Sequence, residues 1–314
     1  MERAVIRPNL FIVGEPKSGT TALYDYLSAQ PGTFMSTPKE PHYFCSDFHE
    51  GSDRIHGRPV YYEYRSEAAW LRLFEGAQGR PLVGEASTSY LFSERAADGI
   101  HRFNPEARIV AIFREPVAFL ASLHSHYLRA TLEDAPTLSE AWKLQDERAD
   151  GRRLPPRVRA PQLVLYRQRL QYFTQLQRFL ALFSRAQIHV ILFEDFQRDN
   201  ARTLAELLAF LDLPAATEFT RKEVNRNATP RFQWLNRLLL APRLKQFFRS
   251  RLSPEHYERV IAAGRAILWR SAPRAAIPAS LRDEIRASCT GQVDALGAFL
   301  GRDLRSEWWG REGK

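Results

Sequence analysis

The chain has 314 residues, 44% hydrophobic and 26% charged, with a formal net charge of +9. That length can bury a sizeable core, as one large α/β domain or a domain with an appended piece, and the composition carries no low-complexity tract or internal repeat. The basic excess, rich in arginine, favours acidic ligands such as a nucleotide, a sulfated or carboxylated sugar, nucleic acid or lipid headgroups, and says nothing about the fold. Cys45 and Cys289 stand far apart with no metal-ligand spacing, which fits a reducing compartment. No signal peptide and no run of 18 apolar residues is visible, so the expectation is a soluble, cytoplasmic protein without a transmembrane segment.

Taken in chain order, Asn9–Gly14 (NLFIVG) reads as a short buried strand ended by glycine, and Thr20–Gln30 (TTALYDYLSAQ) as an amphipathic helix. Pro81–Ser87 and Ala107–Pro116 are the second and third expected strands, and Ala186–Phe196 the fourth. Near-continuous apolar runs of this kind suit a parallel sheet buried on both faces. Helical stretches fall between them, notably Leu163–Phe183 and Ala201–Leu211, so the alternation predicts a doubly wound α/β sheet. Thr131–Pro161 is polar, charged and proline-bearing, and reads as a mobile insertion or lid. After Pro214 no strand is expected. Residues 231–248 and 281–304 read as helical, giving an α/β core over 1–214 and a helical cap over 215–314.

Two clusters carry the chemistry. Gly14–Thr21 (GEPKSGTT) follows a strand and opens a helix, so its backbone N–H groups and the helix dipole form an anion site. Lys17 adds a point charge, and Ser18, Thr20 and Thr21 add hydroxyl donors beside Gly19. In a triphosphate-binding loop the lysine follows the second glycine; here it precedes it. The second cluster begins at Arg114, at the end of an expected strand, where open α/β sheets bind ligands. Pro116 suits the first turn of a helix, and Ser122 lies about two turns beyond Arg114. A loop arginine and a helix serine can grip one phosphate from two sides. His124 and His126 read as helix-face residues.

Together these clusters resemble the sulfotransferases that use 3′-phosphoadenosine-5′-phosphosulfate. The family's phosphosulfate loop matches Pro16-Lys17-Ser18-Gly19-Thr20-Thr21-Ala22-Leu23, and its 3′-phosphate motif matches Arg114-Glu115-Pro116 followed by Ser122, with Tyr127 two residues later than in many members. Ser36–Phe48 resembles the K-E-x-H-F-F segment of the heparan-sulfate and bacterial carbohydrate branch. Gly84–Phe92 resembles its E-K-S-P-x-Y segment, with Ala86 in place of the lysine. Val190–Pro214 resembles the family's E-D strand and helix, and the C-terminal LGAFLGRDLRSEWW its usual ending.

The resemblance implies a P-loop-NTPase-like sheet and 3′-phosphoadenosine-5′-phosphosulfate as donor cosubstrate, bound by Lys17, Ser18, Gly19, Thr20, Thr21, Arg114 and Ser122. Lys17 would also neutralise the leaving oxygen. Glu40 maps onto the family's general base, with its pKa raised by burial, and His42 onto a residue that orients the acceptor. Glu85, at a strand end, is a rival base. Lys39 and Arg95 are candidate contacts to anionic acceptor groups. Tyr43, Phe44, Tyr90 and Phe92 suit either a cleft wall or core. Residues 226–231 (RNATPR) are the candidate for the loop that closes over the nucleotide. The acceptor is a small molecule or glycan bearing a hydroxyl or amine. No metal is implied, and the oligomeric state is open. The competing reading is a P-loop nucleotide kinase; the displaced lysine and the lack of a magnesium-binding aspartate at a strand end, Phe193-Glu194-Asp195 being the nearest approach, count against it. A nucleic-acid-binding module is disfavoured by the lack of a basic helix or an aromatic-basic platform.

Overall fold

In β1 (Leu10–Gly14), Phe11 and Val13 face one layer of core while Leu10 and Ile12 face the other, and all are fully buried. A strand side chain alternates between faces, so a run buried on both sides must be apolar throughout. These positions belong to a computed structural model that describes residues 6–214 and 276–310, with the backbone alone of 229–230 and 269–270. The same two-faced burial holds in β3 (Leu82–Ala86) and β4 (Arg108–Phe113). β5 (Ile188–Leu192) and a short edge strand, β2 (Thr33–Met35), complete a sheet of five parallel strands in the order β2-β3-β1-β4-β5. All neighbouring pairs are parallel.

Helices cover both faces. α1 (Thr20–Ala29) and α11 (Asn200–Phe210) place Leu23, Leu27, Leu204 and Leu207 on one. α5 (Pro116–Arg129), α9 (Tyr172–Leu180) and the long α12 (Ala279–Leu300) cover the other, with α12 packed on α5 and α9 through Ile285, Val293 and Leu296. Each large aliphatic or aromatic side chain sequestered this way contributes about 1.5–3 kcal/mol. Between these lie α2 (Ser46–His56), α3 (Glu67–Leu71), α4 (Ala96–Phe103), α6 (Leu138–Lys143), α7 (Gln145–Ala149), α8 (Tyr166–Arg169) and α10 (Phe193–Arg198); α13 (Leu304–Trp309) ends the described chain. Among the described residues no helix is long and apolar enough to cross a membrane.

Two local expectations change. The strand expected over 186–196 stops at Leu192, and Phe193–Arg198 is helical, with Glu194 and Asp195 in its first turn, where acidic side chains suit the helix dipole. The expected helix over 163–183 is broken into a 3₁₀ turn at Pro161–Val164, then α8 and α9. Its breaks are satisfied from the side: Gln175 Nε2 donates to Arg169 O at 3.0 Å, in place of a helical N–H. Residues 131–161, which the sequence marks as an insertion, carry α6 and α7 and pack Trp142, Val158 and Ala160 into the core. Part of the expected cap, including 231–248, lies outside the described residues, as do the side chains of 226–231. Thr229–Pro230 pairs antiparallel with Trp269–Arg270 through the backbone.

Candidate active site

The carboxyl ends of β1, β3 and β4 meet at one edge of the sheet, where the crevice of an open α/β fold lies. From β1 the chain enters Glu15–Gly19 and turns into α1. Lys17 has φ +64° and Gly19 has φ +96°, both left-handed. At Gly19 a Cβ would also meet the rings of Phe193 and Phe196 at 3.2–3.3 Å, so a side chain is excluded twice over. Gly19 is the N-cap of α1, no side chain caps the helix, and no acidic residue sits in its first turn. Its leading N–H groups are therefore available to an anion. Ser18 is fully buried, and its hydroxyl has no hydrogen-bond partner among the described residues. Lys17 and Thr21 are half-buried and Thr20 is buried.

Arg114, at the exit of β4, reaches across to this loop: its Nη1 donates to Lys17 O at 2.9 Å, joining residues 97 positions apart. The guanidinium lies 4.4 Å from the centre of the Phe193 ring, and Tyr172 Oη donates to Arg114 O at 3.0 Å. Pro116 takes the first turn of α5, as expected, and Glu115 caps it by accepting from Ala118 N at 2.6 Å. Ser122 is buried further along the same helix.

The third wall is the segment after β2. It is tied to the end of β3 by Glu40 N–H donating to Ala86 O at 3.1 Å and His42 N–H donating to Ser87 Oγ at 3.0 Å. Glu40 and His42 both have positive φ, +64° and +56°, a conformation that costs energy for non-glycine residues and clusters at functional sites. Lys39 Nζ donates to Glu40 Oε1 at 2.8 Å, His42 Nε2 lies 3.6 Å from Oε2, and Thr88 Oγ1 donates to Oε1 at 3.3 Å. Desolvation pushes the Glu40 carboxyl up, but the approach of the His42 imidazole and the Lys39 charge outweigh it and hold the group well below the usual carboxylate range. The expectation that burial would raise this pKa is thus reversed. Lys39, the candidate contact to acceptor anions, is paired with Glu40.

Glu85 is completely buried under the sheet edge, accepting from Trp70 Nε1 at 3.1 Å, and burial pushes it up to about 7. Around it Tyr43 stacks on Trp70 at 4.7 Å, and Phe44 meets Trp70 edge-on at 5.1 Å, so these aromatics belong to the core. Arg95 is exposed at the N-cap of α4, and no contact among the described residues joins it to the Lys17–Glu40 group.

Three further residues that the sequence did not mark for the site bear on this region. On α5, burial and the charges of Lys17, Arg129 and Arg159 hold His126 down at about 4, against the opposing charge of Glu40. Glu15, inside the loop, and Arg169, from α8, are both fully buried and 3.5 Å apart. The one signal for the pair was an acidic residue, Glu15, in a loop whose other charge is Lys17. His124, in contrast, bonds Ala135 O through Nε2 at 2.9 Å and serves the fold. Among the described residues, no group of three or more His, Cys, Asp or Glu side chains is placed to hold a metal ion.

A family model described as "Sulfotransferase family" matches residues 8–218, a span that holds the loop, Arg114, Ser122 and the 39–42 segment. The chain belongs to the sulfotransferase family. A crystal structure of a sulfotransferase from Alicyclobacillus acidocaldarius superposes with a TM-score of 0.69 at 29% identity, covering 97% of this chain and 99% of that one. Carbohydrate sulfotransferase 15 of Rattus norvegicus is 30% identical over 38% of this chain and 27% of its own length. The bifunctional heparan sulfate N-deacetylase/N-sulfotransferase 4 of Mus musculus is 25% identical over 65% of this chain and 22% of its own. This family member therefore spans about a quarter of the length of those two relatives.

Proposed function

We propose that the protein transfers a sulfonate group from 3′-phosphoadenosine-5′-phosphosulfate to a hydroxyl or amine, with a carbohydrate or glycosylated small molecule as the acceptor. The observation that carries this reading is the hydrogen bond from Arg114 to the Lys17 carbonyl. It brings a loop suited to a 5′-phosphosulfate against an arginine suited to a second phosphate, as a nucleotide phosphorylated at both ends requires. The carbohydrate relatives support the acceptor class.

In this reading the α1 N-terminus, Ser18, Gly19, Thr20 and Thr21 hold the 5′ end of the donor, and Arg114 with Ser122 holds the 3′-phosphate. The acceptor oxygen or nitrogen attacks sulfur in line. The S–O bond to the 5′-phosphate breaks, its electron pair stays on that phosphate, and adenosine 3′,5′-bisphosphate leaves. Lys17 neutralises the charge gathering on the departing oxygen. Glu40 takes the acceptor's proton. It is ionised at every working pH but, held low by Lys39 and His42, is a weak base until one of them turns to substrate. Glu85, sealed among Trp70 and Tyr90, supports the wall instead.

Turnover of labelled donor against a panel of sugar hydroxyls, glucosamine amines and glycosylated small molecules tests the proposal. Transfer to a carbohydrate, abolished by Lys17→Ala and by Glu40→Gln with the fold intact, is expected. Full activity in Glu40→Gln with loss in Glu85→Gln would overturn the base assignment.

A further inference from the structure

The two C-terminal tryptophans do more than pack. Trp309 Nε1 donates to Glu115 Oε1 at 2.9 Å, while Glu115 Oε2 accepts from Ala118 N. Trp308 Nε1 donates to Glu194 Oε2 at 3.1 Å, while Glu194 Oε1 accepts from Glu115 N at 3.0 Å. Both carboxylates thus have each oxygen engaged. Glu115 adjoins Arg114 in the chain, and Glu194 adjoins Phe193, the ring on which the Arg114 guanidinium lies. Four hydrogen bonds therefore fix the two residues that flank the arginine and its platform.

The helix that carries the indoles is itself pinned. α12 ends at Gly301, with φ +66°, and a Cβ on Gly297 would sit 2.6 Å from Arg302 O, so the tight turn into α13 depends on glycine. Asp303 caps α13 by accepting from Ser306 N at 3.1 Å, and Leu304 is buried. Arg302 bridges Asp195 of α10 and Glu307 of α13.

We infer that Trp308 and Trp309 are positioning residues for donor binding: through Glu194 and Glu115 they set where Arg114 stands and so how tightly the 3′-phosphate is held. The inference rests on the reading of Arg114 given above. Arg114 has little slack, since one of its donors is already spent on Lys17 O, and a phosphate oxygen bonds well only if the remaining N–H groups arrive in register. Freeing Glu115 from Trp309 loosens the turn that delivers the arginine. The 5′ end, held by the α1 N-terminus and Lys17, feels this less.

The test uses the full chain and adenosine 3′,5′-bisphosphate as probe. Trp→Phe removes the N–H and keeps most of the apolar ring. Trp309→Phe is expected to raise the Kd, and the KM for the donor, about three- to tenfold, with kcat at saturation changed less than about twofold. Trp308→Phe, one bond further from Arg114, is expected to do the same to a smaller extent. Trp142→Phe is the matched control. Trp142 Nε1 donates to Glu284 Oε1 at 2.8 Å, a bond of the same type with no link to Arg114, so its loss lowers thermal stability and leaves the Kd unchanged. A Kd unchanged in folded Trp309→Phe and Trp308→Phe, or raised as much by Trp142→Phe, overturns the inference. If Trp309→Phe does not fold, Trp308→Phe against Trp142→Phe decides it alone. Failure of the wild-type protein to bind the bisphosphate would instead overturn the donor assignment.

Discussion

Glu133–Arg148 and Glu15–Arg169 are both acid–arginine pairs with fully buried side chains, and they are finished differently. Arg148 grips Glu133 with two bonds of 2.7 and 2.8 Å. Tyr166 Oη adds a third at 2.8 Å, and the Asp134 and Ala135 amides add two more. Burial raises the Glu133 carboxyl, but the Arg148 hydrogen bonds and the rest of that shell outweigh it and hold the group below its usual value. Arg169 approaches Glu15 at 3.5 Å only. Glu15 Oε1 and Arg169 Nε and Nη2 have no hydrogen-bond partner among the described residues, and burial pushes Glu15 up to about 7. The saturated pair closes the 131–161 segment on itself and ties it through Tyr166 to α8. The unsaturated pair lies at the loop that carries Lys17, where burial favours the protonated form of Glu15.

That contrast can be broken in several ways. The largest effect is expected from Arg148→Met, which strands a carboxylate built to be ionised: urea denaturation should show a loss of about 3–5 kcal/mol. Next comes the pH dependence. Glu15 is raised in the folded state, so the native protein keeps a proton that the unfolded chain has lost, and stability falls as pH climbs from about 4.5 to 7. Glu15→Gln should remove about 2–3 kcal/mol of that fall, read from melts at pH 5 and pH 7. Glu133 has the opposite sign, its contribution being present at neutral pH and lost on acidification. Arg169→Met should cost only about 1–2 kcal/mol at pH 7, because Glu15 can take up a proton once its partner is gone. Equal losses in Arg148→Met and Arg169→Met would erase the distinction. The smallest effect belongs to the cleft: Lys39→Met removes a charge that holds Glu40 down, so the acid limb of the kcat/KM profile should move toward neutral pH.

The sheet was legible where strands are buried on both faces, as in β1 and β4, because an unbroken apolar run has few other uses. β2 was not, since three residues of an edge strand carry no period. The helix expected over 163–183 failed because Leu163, Leu170 and Tyr172 fit an amphipathic helix and a broken one equally well, and side-chain bonds from Gln175 decide between them. Among the candidate site residues, Lys17 and Arg114 are singled out by local spacing, and their roles belong to the proposal. Glu15–Arg169 spans 154 positions and the indole–carboxylate bonds 114 and 194, so only the fold brings those partners together. Glu40 is singled out by its segment, but the expected rise of its pKa is reversed because Lys39 and His42 close onto it.

The central claim is that the loop at Lys17 and the arginine at position 114 hold one nucleotide by its two ends. Isothermal titration of adenosine 3′,5′-bisphosphate against ADP, each with and without magnesium, tests it most directly. Tight binding of the bisphosphate without metal, weakened strongly by Arg114→Ala, with none of ADP, is the expected result. Magnesium-dependent binding of ADP and none of the bisphosphate would contradict it.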